Sequence, residues 1–309
     1  MRIVFMGTPD FSVPCLKALS ESKHEVVGVF CQPDKPVGRK QELKMPDVKV
    51  EALKHGYDVY QPVSLKNGKG LEILKELNPD LIVVVAYGKI LPKDVLDFPK
   101  HGCINVHASI LPKYRGASPI HWAVINGDKE TGVTVQQMNE GVDTGDILLI
   151  EKMPIGENDT TEEMFDKLSY LGAEVMLKTI ELCEEGKLSP VPQDEAEATH
   201  VGLLSRELSP INWQNDAQSI HNKIRGLYSW PCAQTVLNGK ILKIYSSVIS
   251  DIKGNNKPGT VVSNKGKLAV CCGDNKCIEL LSVQLEGKKR MDAAAFLNGY
   301  KTEIGTQLG

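Results

Sequence analysis

The stretch 103–143 opens on CINVH, which places Asn105 and His107 two residues apart, and ends at Asp143, the head of an Asp-Thr-Gly turn. Side chains alternate faces along a strand, so a strand over 104–106 turns the amide and the imidazole to the same side. With a returning carboxylate they supply a neutral donor, a titratable ring and a proton acceptor. No serine or cysteine nucleophile accompanies them. Ser109 lies just beyond, in a turn with Pro112, where serine commonly bonds the backbone. The chemistry that suits this set is direct transfer between two bound substrates. An amine attacks an acyl carbon, Asn105 and His107 donate to the tetrahedral oxyanion, and Asp143 sets the imidazole's protonation and relays a proton through water to the leaving nitrogen. An isolated Asn-x-His is more often a strand-end pair satisfied by local backbone, with the aspartate capping a turn. The residues alone leave both readings open.

The elements that must position these groups read as a doubly wound sheet. Short apolar runs at 2–6, 26–31, 57–60 and 80–86 alternate with helix patterns, Ser12 being set to cap the first, and further helices are expected at 47–55 and 67–77. DLIVVVA, at 80–86, is continuously apolar, as a central strand covered on both faces should be. No GxGxxG follows the first strand, so nothing favours a nicotinamide cofactor. Strands at 132–138 and 145–150 follow the 103–143 loop, the second antiparallel. Thr160-Thr161-Glu162-Glu163 reads as a capping box for a long helix over 161–185. Periodicity then lapses from 187 to 208. Beyond it come a helix at 216–226 and about five short strands, two of them joined by Asn238-Gly239, a strong hairpin signal. The expected architecture is α/β: a Rossmann-like domain with a mostly parallel sheet over 1–186, a linker over 187–208, and a small OB-like β-barrel domain over 209–309.

One segment interrupts the alternation. QPDKPVGRKQELKMPDVK, residues 32–49, carries Lys35, Arg39, Lys40, Lys44 and Lys49 and reads as a long exposed loop at the carboxyl end of the second strand. Ligands bind at that edge in open α/β sheets, so the loop is expected to be a basic arm that holds phosphates. Charge is unevenly placed: residues 1–206 carry 23 basic and 31 acidic groups, whereas 207–309 carry 13 and 8. A basic C-terminal third suggests contact with a polyanion, although a solvated basic face fits the charge alone equally well. Cys271, Cys272 and Cys277 are poorly spaced to ligate one ion and no histidine stands near, so no metal is expected. No apolar run approaches the ~20 residues that span a bilayer. The MRIVFMG start lacks a cleavable signal pattern, and a cytoplasmic protein without membrane contact, acting as a monomer, is expected.

The run GCINVHASILPKYRGASPI resembles the folate-dependent formyltransferases, whose signature is an Asn-x-His strand, a Ser-Leu-Leu-Pro-type loop and a distant Asp-Thr-Gly. Asn105, His107, Ser109-Ile110-Leu111-Pro112 and Asp143-Thr144-Gly145 match it in type and order, with Ile110 in place of leucine. The resemblance implies 10-formyltetrahydrofolate as formyl donor and no metal. It implies Asn105, His107 and Asp143 as catalytic. Ala86, Tyr87, Gly88, Lys89, Ile90, Leu91 and Val142 would line the pterin pocket, largely through backbone, with Ser109, Ile110, Leu111 and Pro112 alongside. FMGTPDFSVP, the 32–49 segment and LSPINWQNDAQSIHNKIRGLYSWPCA extend the likeness nearly end to end. They imply that the acceptor is the methionine amine of charged initiator tRNA, held by Lys35, Arg39, Lys40 and Lys44. At HVGLLSREL the family tends to carry Ala-Pro-Lys and a lysine before the acid, a place Arg206 would fill. A sugar amine is the alternative acceptor, and a noncatalytic RNA-binding protein the alternative class.

Overall fold

The computed structural model describes residues 1–38, 41–66 and 68–309. Arg39 and Lys40, both expected to touch tRNA, lie outside the described residues. In chain order the elements of the first part are β1 (Arg2–Gly7), α1 (Val13–Ser20), β2 (Glu25–Phe30), β3 (Lys35–Val37), β4 (Glu42–Lys44), α2 (Asp47–Lys54), β5 (Val59–Tyr60), α3 (Lys69–Leu77), β6 (Leu81–Val85), α4 (Lys93–Leu96), β7 (Cys103–His107), β8 (Arg115–Gly116), α5 (Pro119–Asn126), β9 (Glu130–Gln137), β10 (Ile147–Pro154), α6 (Thr161–Glu184) and β11 (His200–Val201). The second part holds α7 (Ala217–Gly226), β12 (Ala233–Leu237), β13 (Lys240–Lys253), β14 (Val261–Ser263), β15 (Leu268–Cys271), β16 (Lys276–Leu285), β17 (Met291–Asp292) and α8 (Ala293–Gly299). Two compact units emerge: Met1–Ala117 with Thr131–Met153 and Phe165–Val201, and Ser118–Glu130 with Pro154–Met164 and Gly202–Gly309.

The first unit is built on a seven-stranded sheet in the order β10-β9-β7-β6-β1-β2-β5. Strands β5, β2, β1, β6 and β7 run parallel, and β9 is antiparallel to β7. LIVVV in β6 is buried throughout, as expected of a central strand covered on both faces. Chain order reverses between β1 and β6, which puts the ligand crevice of an open α/β sheet at their carboxyl ends. Ser12 does not cap α1 with its side chain. Its Oγ instead donates to Val85 O at 2.6 Å, pinning the turn after β1 to the end of β6. The capping box at Thr160 forms as expected: Glu163 Oε2 accepts from Thr160 N at 2.8 Å, and Thr160 Oγ1 from Glu163 N at 3.3 Å.

The segment expected as a loop over 32–49 contains an antiparallel hairpin, β3 with β4, in which Lys35 stands opposite Lys44. A strand pair of three residues each, half of them charged, is too short for a sequence reading to detect. Lys49 is not part of an open basic surface. Its Nζ bonds Asp34 at 2.8 Å and Gln61 Oε1 at 2.8 Å, tying the base of the hairpin to the segment after β5.

In the second unit, strands follow the order β12-β13-β16-β15-β14, with β17 on β16. Among the described residues its strands pair antiparallel. Among the described residues the edge strands β12 and β14 do not pair with each other, so the ladder is not a closed barrel. The C-terminal tail reaches both edges: Leu308 N donates to Gly259 O at 2.8 Å and Gly309 N to Val236 O at 3.2 Å. Trp213, Ile220, Ile224, Leu242, Ile244, Val270 and Leu280 are among the residues of one apolar core. Among the described residues no helix is long and apolar enough to cross a membrane, and no cluster of metal-ligating side chains occurs.

Candidate active site

Asn105 and His107 lie on β7 where its carboxyl end opens toward the crevice, held in register against Gln136 and Thr134 of β9. His107 is buried and Asn105 half-buried. The turn after β9 carries Asp143 back to them in a left-handed conformation, φ 54°. Its Oδ1 accepts from Gln136 Nε2 at 2.9 Å and Asn105 Nδ2 at 3.3 Å. Its Oδ2 accepts from Gly116 N at 2.8 Å and faces His107 Nδ1 at 3.6 Å. His107 Nε2 lies 3.0 Å from Tyr114 O; a carbonyl only accepts, so this nitrogen carries the proton and Nδ1 is the one turned to the carboxylate. Asn105 uses one of its two amide N–H groups here, and among the described residues the other has no protein partner.

Two glycines permit this turn. A Cβ on Gly145 would sit 1.6 Å from Gln137 O, so no other residue lets the Asp-Thr-Gly turn close on β9. Gly116 has φ 102°, and a Cβ there would lie 2.5 Å from Val201 O. Asn139 Oδ1 accepts from Gly141 N at 2.9 Å and Thr144 Oγ1 at 2.8 Å, which closes the same turn from its other side.

Ser109 is buried and its Oγ donates to Lys113 O at 2.7 Å, the backbone role expected of a turn serine. Buried Thr134 fixes the rest of that loop, donating to Ser109 O at 2.7 Å and accepting from Leu111 N at 3.1 Å. Leu111 is buried, whereas Ile110 and Pro112 are half-buried; the Leu111–Pro112 peptide is cis. Around 86–91 burial alternates. Ala86, Gly88 and Ile90 are exposed, Tyr87 and Leu91 buried, and Lys89 intermediate, its Nζ bonding Val63 O at 2.8 Å. The Tyr87 ring therefore packs in the apolar core that includes Phe30 and Leu74, and its buried hydroxyl, without a partner among the described residues, is pushed up to about 12 by desolvation. Thr8 Oγ1 and Gln32 Nε2 hold the backbone of this turn by donating to Tyr87 O at 3.0 and 3.1 Å. Val142 is 59% exposed beside Asp143. Exposed Lys35 and Lys44 project from the hairpin, and exposed Arg206 lies in a 3-10 turn of the second unit.

Three groups at the site escaped the sequence reading: Gln136, Gln193 and Arg115. Gln136 is 2% exposed and follows the buried run Val133-Thr134-Val135, a polar residue continuing an inward-packed strand, which is the signal that marks it. Gln193 gives none, because it lies in the aperiodic stretch 187–208.

At the carboxyl end of β7 in a mostly parallel sheet an amide, an imidazole and a carboxylate converge, a set that suits group transfer between two bound substrates. The chain belongs to the formyl transferase family: residues 1–180 match the formyl transferase description and residues 203–301 the formyl transferase C-terminal domain. It is 48% identical over 309 residues to a methionyl-tRNA formyltransferase of Caldanaerobacter subterraneus subsp. tengcongensis, covering 100% of both chains. It is 45% identical, again over 100% of both, to one of Alkaliphilus oremlandii. Among solved structures it resembles WlaRD, a sugar 3N-formyl transferase crystallised in the presence of dTDP and 5-N-formyl-THF. That likeness has a TM-score of 0.70 at 19% identity over 94% of this chain and 99% of the other, and speaks for the fold alone.

Proposed function

We propose that this chain transfers the formyl group of 10-formyltetrahydrofolate to the methionine amine of charged initiator tRNA, as a cytoplasmic monomer whose N-terminal 1–186 carries the chemistry and whose C-terminal 209–309, OB-like in its strand content, holds tRNA. What carries the reading is the convergence of Asn105, His107 and Asp143 in a chain that matches methionyl-tRNA formyltransferases over its full length. The amine lone pair attacks the formyl carbon and a C–N bond forms. Asn105 donates its second N–H to the resulting oxyanion, a contribution of roughly 3–4 kcal/mol. His107 joins it if its Nε2 proton leaves the Tyr114 carbonyl as substrate enters. Asp143 takes a proton from the amine and returns one to N10 as the C–N10 bond breaks, so formyl and proton exchange places and nothing remains on the enzyme.

The pterin site would use the exposed backbone at Ala86, Gly88 and Ile90 with Val142 and the 109–112 loop; Tyr87 and Leu91 support it from beneath. The hairpin would enter the acceptor end. Like charges placed directly opposite on paired strands repel, and Lys35 opposite Lys44 is such a pair, relieved in part by Asp47 at 3.6 Å from Lys44. An anionic partner relieves it further, with Arg39 and Lys40 in the same segment. The second unit adds Lys240, Lys288, Lys289 and Arg290, all exposed, and Arg206 at its start.

The deciding assay is tetrahydrofolate release when charged initiator tRNA is offered beside nucleotide-linked amino sugars. Release is expected with tRNA alone. Release with the sugar alone would replace the acceptor, and no release with either would leave an RNA-binding protein.

A further inference from the structure

Residues 191–201, which sequence alone reads as linker, run through the first unit as a strap stitched to both site loops. Val191 and Ile147 exchange backbone hydrogen bonds of 2.9 and 2.8 Å at the foot of the Asp143 turn. Thr199 O accepts from Arg115 N at 2.9 Å, Thr199 Oγ1 from Tyr114 N at 2.8 Å, and Val201 O from Ala117 N at 3.0 Å. Between these ends lies Gln193. Its Nε2 donates to Asp143 O at 2.9 Å and to Gly145 O at 2.7 Å, and its Oε1 accepts from Arg115 Nε at 3.0 Å. Every hydrogen-bonding direction of the amide donor is spent on the Asp143 turn.

Arg115 is the backing for this contact. It is 1% exposed, and its guanidinium is completed by Glu195, with Nη1 and Nη2 bonding the two carboxylate oxygens at 2.9 and 2.7 Å. The pair holds the guanidinium proton more firmly than usual and keeps the Glu195 carboxyl below the ordinary range. A planar fork fixed at one end by a carboxylate presents its Nε in one direction only. Arg115 also precedes Gly116, whose N–H is the donor that holds Asp143 Oδ2. One residue pair therefore fixes the carboxylate from two sides: its oxygen through Gly116, and its left-handed backbone through Gln193.

We propose that Gln193 is a positioning residue for the formyl-transfer step, acting through Asp143, with Arg115 and Glu195 as its support. The proposal rests on the role assigned to Asp143 above. A carboxyl group held at φ 54° by two donated hydrogen bonds is aimed; released, the turn keeps its fold through Asn139 and Gly145 but loses the aim. A misplacement of about 1 Å costs on the order of 100-fold in rate. The strap meets the 109–112 wall only through Thr199 N, which donates to Pro112 O at 3.2 Å among the described residues; Gln193 bonds neither that loop nor the 86–91 turn, so its replacement should leave folate affinity near the parent's.

The test compares Gln193→Glu and Gln193→Ala with the parent and with Asp143→Asn, using methionyl initiator tRNA and 10-formyltetrahydrofolate. Both Gln193 variants should lose about 10- to 100-fold in kcat with folate Kd and tRNA KM within about threefold of the parent. An ionised glutamate only accepts, and a protonated one regains a single donor. The Gln193→Glu deficit should therefore shrink as pH falls while the Gln193→Ala deficit stays level, a signature that mere loosening of the fold does not produce. Should neither variant fold, exposed Glu195→Gln, which frees Arg115, should lower kcat about threefold at unchanged folate Kd. Unchanged kcat in the variant that folds, or a loss matched by equal loss of folate affinity, overturns the proposal. Full activity of Asp143→Asn overturns instead the site assignment beneath it.

Discussion

Replacing Asp143 by asparagine keeps the shape of the side chain and removes one acceptor oxygen. In the structure Oδ1 accepts from Gln136 and Asn105 while Oδ2 accepts from Gly116 N at 2.8 Å and faces His107 Nδ1. An amide cannot serve both sets. If its oxygen stays with Gln136, its NH2 meets the Gly116 N–H donor to donor; if it turns over, it meets the Gln136 amide instead. Leaving one such buried group unsatisfied costs about 1–3 kcal/mol, which alone misplaces the turn in a large share of molecules. The proton acceptor is lost as well, worth roughly 100- to 10,000-fold. We expect kcat for tetrahydrofolate release on charged initiator tRNA to fall at least about 1,000-fold. Folate affinity, measured by fluorescence titration, should stay within about threefold, because the 86–91 and 109–112 walls keep their own hydrogen bonds. Residual turnover within tenfold of the parent, or a matching loss of folate binding, would refute the assignment and make Asp143 a structural residue.

Asn105→Ala removes a single oxyanion donor and should lower kcat by about 100- to 1,000-fold with little change in KM, read by steady-state kinetics. Lys35→Ala with Lys44→Ala should raise the KM for tRNA and reduce its log–log salt slope by about 1–2, leaving folate affinity alone; an unchanged slope would remove the hairpin from tRNA binding. Burial lowers the proton affinity of His24, His121 and His221 in the folded chain. The unfolded chain then takes up protons first, so urea midpoints should fall as pH drops below the ordinary histidine value of 6.5 and hold steady above it. His221, with Ser247 Oγ on Nδ1 and Glu157 O on Nε2 at 3.0 Å each, is the side chain whose replacement by glutamine should flatten that slope most.

What could be read from the residues was whatever repeats or alternates. Asn105 and His107 share a face because strands have a period of two, and Asp143 is recognisable by the glycine that must follow it. The continuously apolar β6 and the helix capped at Thr160 are legible from local composition alone. The remainder is tertiary. Gln193 reaches Asp143 across 50 residues of chain, and no local pattern marks an amide that will donate to two carbonyls. Ser12 sits where a cap belongs, yet Val85 O, brought close by the β1–β6 pairing, is the acceptor its hydroxyl takes. Lys49 belongs to the basic run, yet Asp34 and Gln61 already hold its ammonium. Basic residues announce a charge, and only the fold says whether that charge is already matched.

In the proposed mechanism formyl passes directly from the folate to the amine with no intermediate on the protein, since among the described residues the site holds donors and a base but no nucleophile. Enzyme incubated with formyl-labelled 10-formyltetrahydrofolate in the absence of acceptor should retain no label after denaturation and release no tetrahydrofolate burst. Adding methionyl initiator tRNA should move the label into formylmethionine in step with tetrahydrofolate release. Label held covalently by the protein, or a burst before tRNA is added, would contradict the account.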